Sequence, residues 1–420
     1  MPRILVLNHN LREHGTYHRA WPIARGLAAL GWDVVFATVS PWRRFRAEER
    51  WQDRVRVVES PRWTWPGLEA DDGWGPLALL SRLRLARRER FDWVYCFAHA
   101  PNCFAPGLAA RRRGARLAAD WCDDYAEGVF PLREQLRAEA SRRRPAKWAI
   151  QRWAERREAR AEQAILRAAQ RLTVIGRALF DKAVRAGGAP RKVLLLRSGA
   201  DLDFFHPRDP ASCRARLGLP AQGPLLAYVA NYHPDEAFLL AALERVFARR
   251  PEARLAYTGP AFVHPLSRSA HLASRLLPLG RLAWERTPEA LGAGDAALIP
   301  MADTAHNRAR CPQKLMDCLA SGRPIVACAV GELGAILREY PGAALAPPPS
   351  VEAYAAAIAR MLEMAPDERR AMGERARRIA VEAFSWDRAA AEAAGFLERD
   401  SGATSPGDQI RRAGETAHSE

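Results

Sequence analysis

The sequence predicts an α/β protein with two doubly wound domains. Short apolar runs of strand length alternate with amphipathic helical patterns from residue 3 onward, and this alternation is typical of parallel sheets covered by helices. The pattern restarts after a turn-rich stretch at residues 220–224. A chain of 420 residues is long enough for two or three domains. We therefore expect two sheets rather than one.

Each half of the chain has its own series of predicted elements. A helix is expected at residues 18–30, because Trp21, Ala24 and Leu27 recur at helical spacing. The predicted strands of the first half are residues 3–7, 33–38, 54–59, 93–97, 116–120, 171–175 and 193–196. In the second half the strands are 225–230, 254–258, 296–300, 324–329 and 343–346, and the helices are 236–250, 287–292, 313–321, 367–383 and 386–397.

Positive charge is concentrated in the first half. The net charge is +16, and residues 1–200 hold 38 Lys and Arg against 21 Asp and Glu. A nucleic acid, an anionic membrane surface or an acidic substrate would each account for this excess, as would a solvated arginine-rich surface. No nucleic-acid-binding module is recognisable, so we expect no nucleic-acid partner.

The cysteine pattern supports neither a zinc site nor a disulfide framework. There are seven cysteines, and none has C-x-x-C spacing or a neighbouring histidine cluster. We expect buried free thiols in a reducing compartment. The N-terminus lacks the apolar run of a signal peptide, and no stretch of 18 uncharged apolar residues occurs. The sequence therefore predicts a cytoplasmic protein, with a peripheral place on the inner face of a membrane left open.

The loop at residues 9–19 joins the first strand to the first helix and is a site candidate by position. Ligands of open α/β sheets bind at the carboxyl ends of strands. Gly15 permits close approach of the backbone, and Thr16 suits the helix cap, whose free N–H groups favour an anion. An ordinary capped helix start explains the same residues equally well.

Residues 311–326, C-P-Q-K-L-M-D-C-L-A-S-G-R-P-I-V, form the most informative segment. The first proline suits the first position of a helix, and G-R-P ends it. The amides of Gln313, Lys314 and Leu315 would then be unpaired and would suit a diphosphate. Asp317 lies one turn on, where a carboxylate could accept two ribose hydroxyls. A capped surface helix is the alternative.

This segment resembles the P-x-K-L-x-E-x-x-A-x-G-x-P-V-V signature of group 1 glycosyltransferases, the retaining family-four type with the GT-B fold. Three other segments are similar to parts of the same family, in the same order. They are the opening loop, helix and strand at 15–34, the interdomain segment at 193–207, and the start of a terminal helix at 384–387. The likeness extends to about residue 398.

The resemblance implies a GT-B architecture, in which two Rossmann-like doubly wound α/β domains face each other across a cleft. Residues 1–205 would form the acceptor-side domain, and residues 206–384 the donor-binding domain. Residues 385–398 would form a terminal helix that crosses back to the first domain. Residues 399–420, which are polar and aperiodic, would form a disordered tail.

The resemblance also implies which residues serve each substrate. The donor-site residues would be Gln313, Lys314, Leu315, Asp317, Arg310 and Asn231. Among them Asp317 would take the ribose-binding role of the family's glutamate. The cleft residues near the transferred sugar would be Gly15, Thr16 and His18. No metal or other cofactor is expected, since backbone amides and basic side chains stabilise the departing diphosphate.

The sequence departs from the family pattern where the donor phosphates should bind. The strand ending at residue 230 should lead into a Gly-Arg…Lys segment, but N-Y-H-P-D-E follows here. The glutamate that the family has eight residues before its ribose-binding glutamate corresponds to Ala309. Either Arg308, Arg310 and Lys314 hold the donor instead, or the donor is not a common nucleotide sugar, or catalysis has been lost. Both arginines also fit solvated surface charges.

Candidates for the acceptor base follow the fourth and fifth predicted strands. His99 comes just after the fourth, and Asp120, Asp123 and Asp124 lie around the end of the fifth. In the family, a His or Asp at these places faces the acceptor hydroxyl, where a base assists deprotonation. Neighbouring carboxylates either raise one another's pKa or bind Arg side chains. We favour Asp123, while His99 fits a structural histidine equally well.

A basic stretch at residues 132–171 is the candidate membrane contact. It holds 12 Lys and Arg against five acids. Trp and Arg together suit a membrane interface with anionic lipid. The central residues of this contact are Arg142, Arg143, Arg144, Lys147 and Trp148. The alternative is a solvated helix that packs its Trp residues into the domain.

The predicted function is therefore a metal-independent glycosyltransferase that moves a sugar from a nucleotide-sugar donor to an acceptor, with retention of anomeric configuration. A lipid-linked glycan or a cell-envelope polysaccharide precursor is the preferred acceptor. The alternatives are a GT-B sugar-nucleotide epimerase and a non-catalytic binding protein of the same fold.

Overall fold

The structure is a computed structural model that describes residues 1–63, 73–130 and 145–399. These residues form two compact units. The first consists of Met1–Arg197 together with the chain from Ala389 onward, and the second of Ser198–Arg388. Apart from Arg399, the predicted tail at 399–420 lies outside the described residues.

An eight-stranded sheet forms the centre of the first unit. Its strands are β1 Arg3–Leu11, β2 Asp33–Val39, β3 Glu48–Gln52, β4 Val55–Ser60, β5 Trp93–Phe97, β6 Arg116–Trp121, β7 Arg171–Val174 and β8 Val193–Leu195. They lie in the order β3-β4-β2-β1-β5-β6-β7-β8, and every pair except β3–β4 is parallel. All seven predicted strands are present. The prediction omits β3, because its sequence E-E-R-W-Q is polar and mostly exposed.

Helices alternate with most of these strands. They are α1 Tyr17–Ala29, α2 Pro76–Arg88, α3 Pro101–Arg112, α4 Pro145–Ala168 and α5 Arg177–Arg185. Every residue of β5 and six consecutive residues of β1 are buried. Successive side chains of a strand point to opposite faces, so both faces of the sheet are covered.

A six-stranded parallel sheet forms the centre of the second unit. Its strands are β9 Leu225–Tyr228, β10 Arg254–Tyr257, β11 Leu276–Pro278, β12 Ala296–Ile299, β13 Ile325–Ala327 and β14 Ala344–Leu345, in the order β11-β10-β9-β12-β13-β14. The remaining helices are α6 Pro210–Leu217, α7 Glu236–Arg249, α8 Ala270–Ala273, α9 Thr287–Ala293, α10 Ala305–Ala309, α11 Lys314–Ala320, α12 Gly331–Glu339, α13 Val351–Glu363, α14 Pro366–Ala383 and α15 Trp386–Glu398. The predicted α/β class is confirmed for both units, and the prediction omits only β11 among the strands of this sheet.

The strand order reverses once in the central part of each sheet. From β1 the chain proceeds to β2 on one side and later to β5 on the other, and from β9 it proceeds to β10 on one side and later to β12 on the other. Ligands of open parallel sheets bind outside the carboxyl ends of strands at such switch points. The segments after β1 and β5, and those after β9 and β12, are therefore where sites are expected.

The last helix completes the first unit. α15 begins at Trp386 in the second unit, and its residues from Ala389 are part of the first. The guanidinium of Arg171 on β7 donates to the Phe396 carbonyl at 3.0 Å and lies 5.3 Å from the centre of the Phe396 ring. Phe396 is buried. The core of the first unit therefore includes residues from both ends of the described chain.

A buried ion pair connects α1 to the sheet of the first unit. Arg19 Nε and Nη2 each lie 2.9 Å from a carboxylate oxygen of Asp120 on β6. The Thr173 hydroxyl donates to the same carboxylate at 2.6 Å, and Arg19 also donates to the Leu196 carbonyl at 2.7 Å. The Asp120 side chain has no exposed surface. Asp120 is thus part of a structural ion pair, which corrects its selection as a candidate base.

Replacing Asp120 with alanine should destabilise the first unit by about 3–5 kcal/mol, because Arg19 would remain as a buried charge without a partner. Differential scanning calorimetry would measure the loss. Glu352→Ala is the control, since it breaks an ion pair with Arg245 in which both side chains are about half exposed or more, and it should have little effect. An Asp120→Ala protein of normal stability that had lost activity would show that Asp120 acts in catalysis instead.

Candidate functional site

The loop after β1 is organised by its own side chains. The Thr16 amide donates to Asn10 Oδ1 at 2.7 Å. The Thr16 hydroxyl lies 2.6 Å from Asn8 Oδ1 and 2.8 Å from Asn10 Oδ1. Because the hydroxyl faces these amide oxygens, Thr16 makes no side-chain cap bond to α1. The predicted capping role of Thr16 is therefore wrong.

Gly15 and His18 also contact the loop itself. Gly15 has a φ of +52°, and a Cβ at this position would lie 2.4 Å from Asn10 Oδ1, so the close approach that requires glycine is to the protein's own chain. His18 Nε2 lies 2.9 Å from the Glu13 carbonyl, and burial lowers the pKa of His18. The loop at the end of β1 therefore has a defined shape.

His99 lies at the carboxyl end of β5, beside the switch point of the first sheet. Ala98 before it has a φ of +138°, a strained conformation of the kind that clusters at functional sites. His99 is buried, and its ring meets the Tyr125 ring edge-on at 4.6 Å. Its Nε2 has no hydrogen-bond partner among the described residues and lies 3.5 Å from Glu158 Oε2 on α4. His99 is therefore directed at a carboxylate just beyond hydrogen-bonding distance.

The carboxylates after β6 differ in their partners. Asp120 is held by Arg19, as described above. Asp124 accepts a hydrogen bond from Lys182 at 2.8 Å. Asp123 lies between them and is the most exposed of the three. Cation binding, the alternative to mutual pKa elevation, thus describes Asp120 and Asp124, and the choice of Asp123 as the base stays a prediction.

In the second unit, α11 begins at Lys314 rather than at the preceding proline. The Leu315 amide donates to the Pro312 carbonyl at 3.0 Å, so the prediction of an unpaired Leu315 amide is wrong. The Gln313 side chain donates to the Gly199 carbonyl at 2.7 Å and to Asp317 Oδ1 at 3.2 Å. Gln313 therefore fixes the start of α11 and orients the Asp317 carboxylate.

Lys314 and Asp317 have strongly shifted pKa values. Burial lowers the pKa of Lys314 to about 8, and nearby Arg310 adds to this effect. Burial raises the pKa of Asp317 to about 7, and nearby Asp201 adds to that shift. Lys314 Nζ lies 5.0 Å from the centre of the Tyr228 ring at the end of β9. Groups poised near neutrality in this way are typical of functional sites.

The acid that follows β9 is paired with a cation. Asp235 accepts from the Ala302 amide at 3.1 Å and from the Asn307 side chain at 2.9 Å, and Arg310 Nη2 lies 3.8 Å from it. Arg310 Nε donates to Asn307 Oδ1 at 3.0 Å. Asp235 therefore holds Arg310 close to Lys314, where the electrostatic effect of Arg310 on the Lys314 pKa is felt.

Arg308 and Asn231 lie outside this buried group. Arg308 pairs with Asp303 at 2.6 Å and its side chain is 60% exposed, whereas that of Arg310 is 17% exposed. The surface-charge interpretation therefore fits Arg308 and not Arg310. Asn231 is exposed in the loop after β9.

Two family models match the chain. The model described as "Glycosyl transferase 4-like domain" matches residues 15–199, and the model described as "Glycosyl transferases group 1" matches residues 223–364. The matches fall one in each unit. The chain belongs to the group 1 glycosyltransferases.

Curated relatives of this group 1 glycosyltransferase include proteins named D-inositol 3-phosphate glycosyltransferase. The one from Rhodococcus jostii is 28% identical over 54% of this chain and 52% of its own length. The one from Geodermatophilus obscurus is 30% identical over 48% of this chain and 46% of its own length. The chain thus spans about half the length of the curated relatives it matches.

Solved structures share the fold over nearly the whole chain. A sucrose-phosphate synthase from Thermosynechococcus elongatus is 19% identical, with a TM-score of 0.71 over 94% of this chain and 98% of its own. Anabaena HepE, solved in complex with UDP and glucose, is 14% identical, with a TM-score of 0.67 over 94% and 99% of the two chains. WaaG, a glycosyltransferase involved in lipopolysaccharide biosynthesis, is 17% identical, with a TM-score of 0.62 over 94% and 100%. These likenesses confirm the GT-B fold.

Part of the predicted membrane contact of this glycosyltransferase lies outside the described residues. These are Arg142, Arg143 and Arg144. Of Lys147 and Trp148, only the backbone at the start of α4 is described. Farther along α4, Trp153 is 49% exposed and its ring lies 5.4 Å from that of Trp74, so this side chain is packed in part against the domain and in part in contact with solvent.

The seven cysteines are buried, as predicted, and none of them forms a disulfide bond. Within the described residues, no helix is both long and apolar enough to cross a bilayer. The same residues contain no group of three or more His, Cys, Asp or Glu that could hold a metal ion.

Asn8 and Glu158 were not among the predicted site residues, and His9 was included only as the first residue of the loop at 9–19. His9 is buried beside His99, and burial lowers its pKa to about 4. Polar residues at the end of the apolar first strand were a usable signal for Asn8 and His9. Glu158 gave no such signal, because it is one of several acids scattered through a basic helix.

We predict that Asp317→Asn stabilises the second unit at pH 8 but not at pH 4. Because the folded-state pKa of Asp317 is about 7, the folded protein retains a proton that the unfolded chain releases from about pH 4. Stability from this group therefore falls as pH rises from 4 to 7. Since Asp317 is partly exposed, the variant should gain about 1–3 kcal/mol at pH 8, less than the full 1.36 kcal/mol per pKa unit.

Thermal unfolding at both pH values would test this prediction. Asp303→Asn is the control, because Arg308 lowers rather than raises the pKa of this exposed carboxyl. An equal gain at pH 4 and pH 8 would show that the Asp317 carboxyl is not the titrating group.

Proposed function

We propose that this chain transfers a sugar from a nucleoside diphosphate donor to a hydroxyl of an acceptor, with retention of configuration. The observation that carries the proposal is the group formed by Arg310, Lys314, Gln313 and Asp317 after β12, at the switch point of the second sheet. It combines two cations with a carboxylate, which suits a diphosphate linked to a ribose. Family membership supports the same reaction class.

In this proposal Arg310 and Lys314 bind the diphosphate. They replace the cations that the family places after the strand corresponding to β9. Asp235 keeps Arg310 in position through its 3.8 Å contact and through Asn307. Positive groups fixed at the leaving diphosphate stabilise the charge that develops as the sugar departs, so we propose that no resident metal is needed.

Asp317 is proposed to accept the ribose hydroxyls, and Gln313 orients it. The side-chain amide of Gln313 donates to Asp317 Oδ1, and this hydrogen bond fixes the orientation of the carboxylate. Ionised Asp317 accepts hydrogen bonds from hydroxyl groups, and protonated Lys314 attracts phosphate. With pKa values of about 7 and about 8, the two groups are both charged in the pH interval around these values. Asn231 is proposed to line the same site.

On the acceptor side we propose Asp123 as the base, with His99 beside the acceptor. A base near the acceptor hydroxyl takes its proton as the sugar–oxygen bond forms. Asp123 is more exposed than Asp120 and Asp124. The loop containing Gly15, Thr16 and His18 would shape the same edge of the first sheet.

The donor proposal predicts that UDP stabilises the protein and that Arg310→Gln removes most of this effect. UDP is the first nucleotide to test, because HepE was solved in complex with it. At a hundred times its dissociation constant a ligand adds about 2.7 kcal/mol of stability. Loss of a charged hydrogen bond costs about 1.5–3 kcal/mol of affinity. Thermal shift measurements with UDP, uridine and other nucleoside diphosphates would show both effects.

Arg308→Gln is the matched control, since Arg308 lies two residues away and pairs with Asp303 at the surface. It should leave nucleotide affinity unchanged. If Arg310→Gln and Arg308→Gln bind UDP equally well, Arg310 is not part of the donor site.

Two alternatives are separated by following the sugar. Incubation with nucleotide sugars and candidate acceptors should give a glycosylated product whose anomeric configuration, read by NMR, equals that of the donor. A changed sugar on an intact nucleotide would indicate an epimerase. Nucleotide binding with neither transfer nor hydrolysis would indicate a binding protein, which the alanine at position 309 keeps open.

We also propose that the first unit rests on an anionic membrane surface. The sequence of this unit contains the basic stretch around Arg142. The structure exposes Trp42, Phe45 and Trp51 at 62%, 76% and 69%. Two arginines, Arg43 and Arg44, lie between the first two of these aromatic residues in sequence. Aromatic rings and arginines together suit the headgroup region of a membrane.

Vesicles of phosphatidylglycerol and phosphatidylcholine should bind the protein at low salt and release it as salt rises, since the screening length falls to about 8 Å at physiological ionic strength. Replacing Arg142, Arg143 and Arg144 with Ser should weaken binding at least tenfold, because each arginine near the surface contributes about 1 kcal/mol. Sedimentation with vesicles would measure this.

A triple Ser variant of Arg245, Arg308 and Arg370, which are exposed arginines of the second unit, is the control of equal charge. It should bind vesicles like the unmodified protein. Absence of vesicle binding at low salt would rule out the membrane proposal.

A further inference from the structure

The first unit contains a cavity of about 680 Å³ beside the His99 region. Trp74, the first residues of α3 and one face of α4 line it. Small-molecule sites typically measure about 300–1,000 Å³ and combine apolar walls with a few polar groups. The cavity therefore has the size of a ligand site, and neither the donor site nor the proposed base accounts for it.

The walls of the cavity are largely aromatic and aliphatic. The Trp74 and Trp153 rings lie 5.4 Å apart with a 48° angle between their planes. Phe104 from α3 and two alanines of α4, Ala161 and Ala164, complete the apolar surface. Because Trp153 is 49% exposed, a large apolar side chain remains in contact with solvent here. A bound apolar chain would cover it.

Two arginines lie at the same cavity. Arg157 and Arg160 are exposed members of its lining, and the Arg157 guanidinium lies 5.1 Å from the centre of the Trp153 ring. Among the described residues, no carboxylate within ion-pair distance is found for either arginine. The one acid of the lining, Glu158, accepts a hydrogen bond from the Trp74 indole and faces His99 at 3.5 Å. The arginines are therefore available to an anionic ligand.

Glu158 makes the cavity continuous with the surroundings of His99. One carboxylate oxygen contacts the cavity wall at Trp74 and the other faces the His99 ring. A ligand that fills the cavity therefore lies next to the residue that we place beside the acceptor.

From this arrangement we infer that the cavity binds the lipid part of the acceptor, a single-chain prenyl phosphate. The hydrocarbon chain lies against the Trp74, Phe104 and Trp153 rings, and the phosphate pairs with Arg157 and Arg160. The inference rests on the proposed glycosyltransferase function and specifies its acceptor. A cavity of this size takes one short stretch of chain rather than the two chains of a diacyl lipid.

Isothermal titration of the full-length protein with farnesyl phosphate, below its micelle concentration, tests the inference. We expect saturable binding with one molecule per chain, and at least tenfold weaker binding of farnesol. The double variant Arg157→Gln/Arg160→Gln should lower farnesyl phosphate affinity at least tenfold and leave farnesol binding unchanged. Trp153→Ala should weaken both ligands.

The matched control is Arg152→Gln/Arg156→Gln, which removes two exposed arginines from the same helix that do not line the cavity. This variant should bind farnesyl phosphate normally. Equal loss in the two double variants would overturn the inference, because it would indicate a general charge effect. Absence of saturable binding, or binding of inorganic phosphate as tight as that of farnesyl phosphate, would also overturn it.

Measurements with UDP on the same proteins keep the two proposals separate. UDP binding without farnesyl phosphate binding overturns the lipid site alone. Farnesyl phosphate binding without any nucleotide binding overturns the donor proposal and leaves the cavity as a lipid site.

Discussion

The buried charge of Arg19 constrains the architecture of the first unit. Burial disfavours a charged guanidinium, but the ion pair with Asp120 more than offsets this, so the pKa of Arg19 lies above its usual value. The pairing requires α1, β6, β7 and the chain after β8 to meet at one place, because each supplies a partner. The position of the loop before α1 depends on this ion pair, because Arg19 lies in the first turn of α1. The edge of the sheet at which we propose that the acceptor binds therefore depends on a buried ion pair.

In the second unit, a buried acid holds a cation in position. Asp235 lies in the segment after β9, where an acid replaces the cations that would bind a diphosphate. Its carboxylate, however, is bound by a backbone amide, Asn307 and Arg310. The acid thus holds a cation near the site instead of repelling an anion from it. The sign of the local potential is determined by which partners the fold brings to Asp235, and these partners are about seventy residues away in sequence.

Most of the fold followed from hydrophobic periodicity, because buried parallel strands appear as short apolar runs. The strand β3 could not be predicted in this way, because an exposed edge strand lacks a run of apolar residues. Its position depends on its pairing with β4. Among site residues, position after a strand correctly placed His99 and Asp123 at the edge of the sheet. The capping role of Thr16 and the free Leu315 amide failed for one reason. Each of these groups found a partner inside the protein, and the sequence does not record which hydrogen bonds are satisfied.

The final helix also has a consequence for how the chain is made. Domains generally fold as units during synthesis, with N-terminal domains first. Here residues 1–197 leave the ribosome before the helix that carries Phe396, so the contact between Arg171 and Phe396 forms only after that helix has been made. The second unit is continuous in sequence and has all its residues before then. The first unit is thus begun before the second and completed after it, and a chain truncated before residue 396 lacks the Arg171 contact.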